Sequence, residues 1–367
     1  MKNLAIIGAS YLQLPLINKA KEMGYTTHVF AWEAHDVGES AADYFYPISI
    51  VEKEAILKKC REIGICGICS ISSDLAVITV NYVADALHLP GNSLESTLIS
   101  TNKHAMRKAF AEHGDPSVSS FLVQSVSDAE KISIAYPVIV KPTDRSGSRG
   151  ITKVYDENDL SAAIQLALDQ SFERKALVEE YAEGQEYSVE HISYHGKHHF
   201  LALTLKYTTG EPHFIETGHM EPAPIEPEKL EEIKRVVEHA LDTLMIENGA
   251  SHSELKIDDK GKIRIIEIGA RMGGDCIGSD LVRYSTGVDF VRAVIQTAIG
   301  ESPDLTPVCM PQSVAVKFIM SEEDIAIFEE MKQTQPERIL QIVDYHPENI
   351  GHTTDSSNRG GCYIYKV

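Results

Sequence analysis

Two glutamates and a lysine pose the chemical question. Glu254 and Glu267 fall in the short apolar runs His252–Ile257 and Lys262–Ile268, which Asp258-Asp259-Lys260-Gly261 joins as a compact hairpin. A buried face of that hairpin would hold both carboxylates a few ångströms apart. Such like charges repel, and a hard cation resolves the repulsion: Mg²⁺ takes one or two protein carboxylates together with phosphate oxygens and water. The same spacing also fits two solvent-facing glutamates on an edge hairpin. Lys141 ends the buried-strand pattern Tyr136–Pro142 and opens onto the loop Thr143–Gly150, with Ser146, Gly147 and Ser148 at its centre. Backbone N–H groups of such a loop can gather around phosphate oxygens while the lysine supplies a point charge. By itself the loop also reads as a surface turn. It lacks the Gly, four residues, Gly-Lys-Ser/Thr pattern and is no P-loop.

The elements that must position these groups follow from periodicity. Leu4–Ile7 runs into Gly8-Ala9-Ser10 and then a helical pattern to Gly24, with further strand-like runs at Thr27–Trp32 and Ile65–Ile71 around a helix over Val51–Ile63. That alternation predicts a Rossmann-like parallel layer over residues 1–92. Lys103–His113 and Asp159–Leu168 read as helices, Ala176–Val178 as a strand, and Glu186–Ser193 with His199–Lys206 as an antiparallel pair around Gly196. Pro227–Asn248 has the spacing of an amphipathic packing helix, and Val288–Ile299 reads as another. The remainder from Pro307 reads as a small α/β subdomain.

The 367 residues suggest two or three domains. A formal charge of −20 disfavours nucleic acid and anionic membrane surfaces, which makes each well-placed cation more informative. The first residues lack the long apolar stretch and cleavage site of a signal peptide, and no run has the length of a membrane span, so a cytoplasmic protein is expected. Six scattered cysteines read as reduced thiols.

The order Lys103, Val140-Lys141-Pro142, the Ser-Gly-Ser loop, Val178-Glu179-Glu180-Tyr181, Gly184-Gln185-Glu186-Tyr187, Glu254 and Glu267-Ile268-Gly269-Ala270-Arg271 resembles the ATP-grasp superfamily over nearly the whole chain. The resemblance implies an α/β fold with a pre-ATP-grasp domain (1–92), a linker helix and small lobe (93–183), a large lobe (184–306) and a C-terminal subdomain (307–367). It implies ATP and Mg²⁺, or Mn²⁺, as cofactors. Lys103 and Lys141 would contact phosphates under a lid formed by the loop from Arg145 to Gly150. Glu179, Glu180, Tyr181 and Ala182 would face adenine, Glu186 would hold the ribose hydroxyls, and Glu254 and Glu267 would be the metal ligands. Many relatives carry Asn where this chain has Gly269, so one metal ligand of the pattern is missing. Glu267–Asp275 and Glu216–Pro224 resemble the carboxylate-amine ligases that include L-amino acid ligases and carnosine-synthase-like enzymes. There Arg271 would serve the acyl phosphate and the tetrahedral oxyanion, since a fixed guanidinium binds a carboxylate bidentately and stabilises developing charge.

The expected activity is therefore ATP-driven joining of a small-molecule carboxylate to an amine through an acyl phosphate. A bicarbonate-activating carboxylase or carbamoyl-phosphate-synthase-like component, and a non-catalytic ATP-binding regulator, are the competing readings. The resemblance also allows a homodimer. His219 reads equally as a ligand for a substrate carboxylate or phosphate and as a loop cap, and Asp275 as an amino-group ligand or a helix N-cap. Cys66 and Cys69 match CxxC spacing but sit on opposite faces of a strand, as buried thiols would. His191, His195, His198 and His199 read as solvated residues about a hairpin tip. Gly8-Ala9-Ser10 lacks the later glycines of a dinucleotide motif and reads as a substrate-facing turn.

Overall fold

The computed structural model describes residues 2–145, 150–211, 214–343, 345–350 and 359–367. Its first sheet is parallel, with strands β1 (Asn3–Ile7), β2 (Thr26–Phe30), β3 (Tyr44–Tyr46) and β4 (Gly67–Cys69) in the order β3-β2-β1-β4. β1 is apolar from Leu4 to Ile7 because both its faces are covered: Leu4 and Ile6 enter one core, Ala5 and Ile7 another. Helices Leu14–Glu22, Lys53–Ile63 and Asp74–Leu87 connect these strands or follow them, in the expected α/β alternation.

The second sheet is antiparallel and small. β5 (Ser120–Val123), β6 (Val138–Pro142), β7 (Thr152–Val154) and β8 (Ala176–Glu180) lie in the order β5-β8-β6-β7. Helix Glu157–Gln170, capped by Asp156, buries Leu160, Ile164 and Ala167 against Val138, Val140 and Val178.

The third sheet has eight strands and holds most of the chemistry. β9 (Gln185–Tyr194), β10 (Lys197–Thr208), β11 (Glu216–Glu221), β12 (Gly249–Ile257), β13 (Ile263–Gly269), β14 (Val314–Phe318), β15 (Ile339–Val343) and β16 (Cys362–Lys366) run in the order β13-β12-β9-β10-β11-β14-β16-β15. Alternation divides its central residues cleanly. Val189, Leu203, Leu205 and Leu255 pack toward the amphipathic helix Pro227–Thr243, and the intervening Glu186, Lys206 and Glu254 line a cleft on the other side. Strands from residues 307–367 continue the sheet beyond β11. Among the described residues, no helix is long and apolar enough to cross a membrane.

Candidate active site

The cleft lies between the two antiparallel sheets and is bordered at one end by Asp74 of the N-terminal layer. β12 and β13 pair with Glu254 directly opposite Glu267, and a register shift next to Glu254 lets both Ile266 and Glu267 line the cavity. Each carboxylate is about a quarter exposed and is tied to a lysine through Oε1. Lys103, the first residue of helix Lys103–His113, donates to Glu267, and Lys206 donates to Glu254 at 2.6 Å. Oε2 of each glutamate has no hydrogen-bond partner among the described residues. Two carboxylates, each with one oxygen open, suit a Mg²⁺ completed by phosphate oxygens and water. Among the described residues, no group of three His, Cys, Asp or Glu side chains forms a closed metal cage.

Lys206 is the central cation that the sequence reading missed. Nearly buried, its Nζ lies 2.8 Å from Glu186, 2.6 Å from Glu254 and 3.8 Å from Glu216. Burial pulls its pKa down, but the three carboxylates outweigh burial and raise it well above the ordinary lysine value. Burial likewise opposes ionisation of Glu254, yet Lys206 and His252 hold it well below the usual carboxylate range. Glu186, expected to meet ribose hydroxyls, is thus an ion-pair partner of Lys206. Its strand position opposite Lys256 still places it on the cleft wall.

Glu179 differs from its expected role. It was grouped with the adenine-facing stretch, but it is 2% exposed and clasped by Arg107 at 2.7 and 3.3 Å and by Lys141 at 2.6 Å. Against the effect of burial, these cations lower its pKa to about 2. Lys141, buried and flanked by Arg107 and Lys103 as well as Glu179, is shifted downward mainly by burial. Glu180, Tyr181 and Ala182 do line the cleft, and Lys153 Nζ stands 3.7 Å from the centre of the Tyr181 ring. Ser146, Gly147 and Ser148 lie outside the described residues.

Arg271 points into the cleft with its guanidinium fixed by Asp74, which accepts from Nε at 2.8 Å and from Nη2 at 3.1 Å. Asp74 opens the helix that follows β4, at the carboxyl end of the parallel sheet, where open α/β sheets bind ligands. Its position after Ser72 and Ser73 was the available sequence signal. The same pair explains Gly269: a Cβ there would lie 2.6 Å from Asp74 Oδ1 and 3.1 Å from Arg271 Nε. Asp74 and Arg271 crowd the space into which an Asn at 269 would project.

The two substrate candidates are placed differently from expectation. His219 is not in a loop but on β11, 1% exposed and edge-on to Phe318 at 5.5 Å. Neither ring nitrogen has a partner among the described residues, and burial pushes its pKa down to about 3. Asp275 caps no helix, since the short π-helical turn Ile277–Leu281 follows Cys276 without a side-chain cap. It instead accepts from Arg359 Nη2 at 2.5 Å. The histidine run also needs correction. His195 sits at the hairpin tip, but His191 is fully buried and His198 bonds Ser193 at 2.7 Å and Asp242 at 3.1 Å, so these two are not solvated. Cys69 is buried and its thiol is pushed up to about 12 by burial, which leaves it unreactive.

Comparison with known proteins agrees with this geometry. Residues 134–280 match the ATP-grasp domain. Alanine–anticapsin ligase of Bacillus subtilis (strain 168) is 26% identical over 65% of this chain and 58% of its own length. The chain therefore spans less than two thirds of that relative. The L-amino acid ligase structure from Bacillus licheniformis superposes with a TM-score of 0.83 at 22% identity, covering 100% of this chain and 93% of that one. N5-carboxyaminoimidazole synthetase from Staphylococcus aureus, solved with ADP, gives 0.80 at 16% identity, covering 100% and 93%. Similarity at these identities shows the shared fold. Residues 134–280 thus match an ATP-grasp domain, and the whole chain shares the fold of these two enzymes.

Proposed function

We propose that the protein is an ATP-dependent carboxylate-amine ligase that forms an amide or peptide bond, with an L-amino acid as one substrate. The observation that carries the proposal is the pre-set Arg271 guanidinium, held by Asp74 in the same cleft as the Glu254–Glu267 pair and its lysines. A carboxylate acylates poorly at neutral pH, whereas its mixed anhydride with phosphate has a good leaving group. In this reading a carboxylate oxygen attacks the γ-phosphorus as the bond to ADP breaks. The amine nitrogen then attacks the acyl carbon, and phosphate departs.

The side chains of this chain position and neutralise. Lys103 and Lys141 offset phosphate charge, and Arg271 meets the acyl phosphate and the oxyanion that forms when the amine adds. Glu254 and Glu267 would hold Mg²⁺ or Mn²⁺, which would supply positive charge against the phosphates during transfer. Water excluded from the cleft would otherwise hydrolyse the intermediate. The similarity to alanine–anticapsin ligase and to the L-amino acid ligase fold supports an amino-acid substrate.

The test is a screen of L-amino acid pairs and simple amines with ATP and Mg²⁺, read by phosphate release and product mass. Phosphate release that requires both acid and amine, with a coupled product of matching mass, is expected. ADP formation that depends on bicarbonate alone, or tight ATP binding with no turnover across the screen, contradicts the proposal.

A further inference from the structure

Glu190 stands on β9 with no exposed surface, and a carboxylate so placed must be paired and hydrogen-bonded to be tolerated. Its two oxygens serve two different parts of the cleft. Oε2 accepts from the backbone N–H of Gly273 at 2.9 Å, in the loop that leaves β13 and carries Arg271. Oε1 meets Nδ1 of His252, whose Nε2 lies 3.4 Å from Oε1 of Glu254. The sheet register makes this row: His252 is opposite Glu190 on one side and opposite Gly269 on the other. A Cβ at Gly273 would lie 2.6 Å from Glu190 Oε1 and 2.7 Å from His252 Nδ1, so the loop reaches this contact only as glycine.

We propose that Glu190 is a positioning residue, which orients Glu254 through His252 and anchors the Arg271 loop through the Gly273 amide. β9 is the strand suited to this task, since it is paired along its length with β12 and β10 in the interior of the sheet. Lys206 and His252 both address Oε1 of Glu254, and the Glu190 contact fixes which ring nitrogen faces that oxygen. One buried carboxylate thereby sets the relative placement of two groups on separate elements, where errors of about half an ångström matter. The inference rests on the reading of Glu254 as a metal carboxylate.

The experiment uses the full chain with ADP and Mn²⁺ as probes. Calorimetry gives ADP affinity in chelator, and electron paramagnetic resonance gives Mn²⁺ affinity of the ADP-loaded protein. For Glu190→Gln and His252→Gln, Mn²⁺ affinity is expected to fall about tenfold or more while metal-free ADP affinity stays within about twofold, the pattern of lost support behind a ligand. A role limited to general stability would not separate the two affinities. Should Glu190→Gln fail to fold, His252→Gln decides alone. Wild-type Mn²⁺ affinity in the folded variants, with Glu254→Gln losing it, overturns the positioning role and leaves the metal assignment standing. Wild-type affinity in Glu254→Gln as well overturns the metal assignment and the positioning role with it.

Discussion

Around Lys206 three carboxylates share one ammonium, and removing that ammonium leaves Glu186, Glu254 and Glu216 to repel each other in a poorly hydrated space. Lys206→Met is expected to destabilise the fold by about 3 kcal/mol, as breaking a buried pair from one side does. The pH dependence has a definite sign. Lys206 and His252 hold Glu254 low despite burial, so its contribution is present above the ordinary carboxylate value and is lost as pH falls through the folded value. Urea unfolding should therefore show the largest deficit of the variant at neutral pH and a smaller one once pH falls below the ordinary carboxylate range. Glu221 behaves oppositely. Burial pushes it up to about 7, against hydrogen bonds donated by Ser285 at 2.5 Å and Thr204 at 2.6 Å. The folded chain keeps a proton that the unfolded chain releases, so stability from this group is whole below the ordinary carboxylate value and is lost as pH rises toward 7. Glu221→Gln should gain up to about 3 kcal/mol at mildly alkaline pH and nothing in acid, measured by the same unfolding series.

Strand register is what converts scattered residues into a site. The hairpin carrying Glu254 and Glu267 was legible because Asp258–Gly261 is a local turn signal and both flanking runs alternate. Lys103, Lys141 and Arg271 were placed by a resemblance in order along the chain, with no need of strand pairing. Lys206 and Glu190 were not legible, because each is one polar residue in a strand whose neighbours are set by a sheet order that no local spacing encodes. Of the two readings of His219, the loop cap fails for a related reason: pairing with β10 and β14 makes the segment a strand. A prediction at this scale concerns Gly184, just before β9. Its φ is +107°, and a Cβ would meet Ile257 O at 2.1 Å, where β12 ends against β9. Gly184→Ala should cost about 1–3 kcal/mol in urea unfolding, since both backbone and strand spacing must shift.

For the whole molecule, the N-terminal layer does more than cover the cleft. It reaches the Arg271 loop through Asp74 and through a hydrogen bond from Ser72 N to Met272 O at 3.2 Å, so the Arg271 end of the cleft depends on the N-terminal layer as well as on the large sheet. Asp74→Asn keeps the shape but removes the charge that fixes the guanidinium. It is expected to lower product formation about a hundredfold with ADP affinity within about twofold, measured by coupled turnover and calorimetry. The chain bears a net charge of −20, yet Lys103, Lys141, Lys206 and Arg271 converge on one cleft, each already matched to a carboxylate. That arrangement spares three buried lysines and the half-buried Arg271 from standing unpaired in the cleft. The central claim, activation of a carboxylate as its acyl phosphate, is tested most directly by oxygen transfer. With a mixture of L-amino acids labelled by ¹⁸O in the carboxylate, ATP and Mg²⁺, the account predicts that released phosphate carries one ¹⁸O for each amide formed. Amide formation with unlabelled phosphate would contradict it.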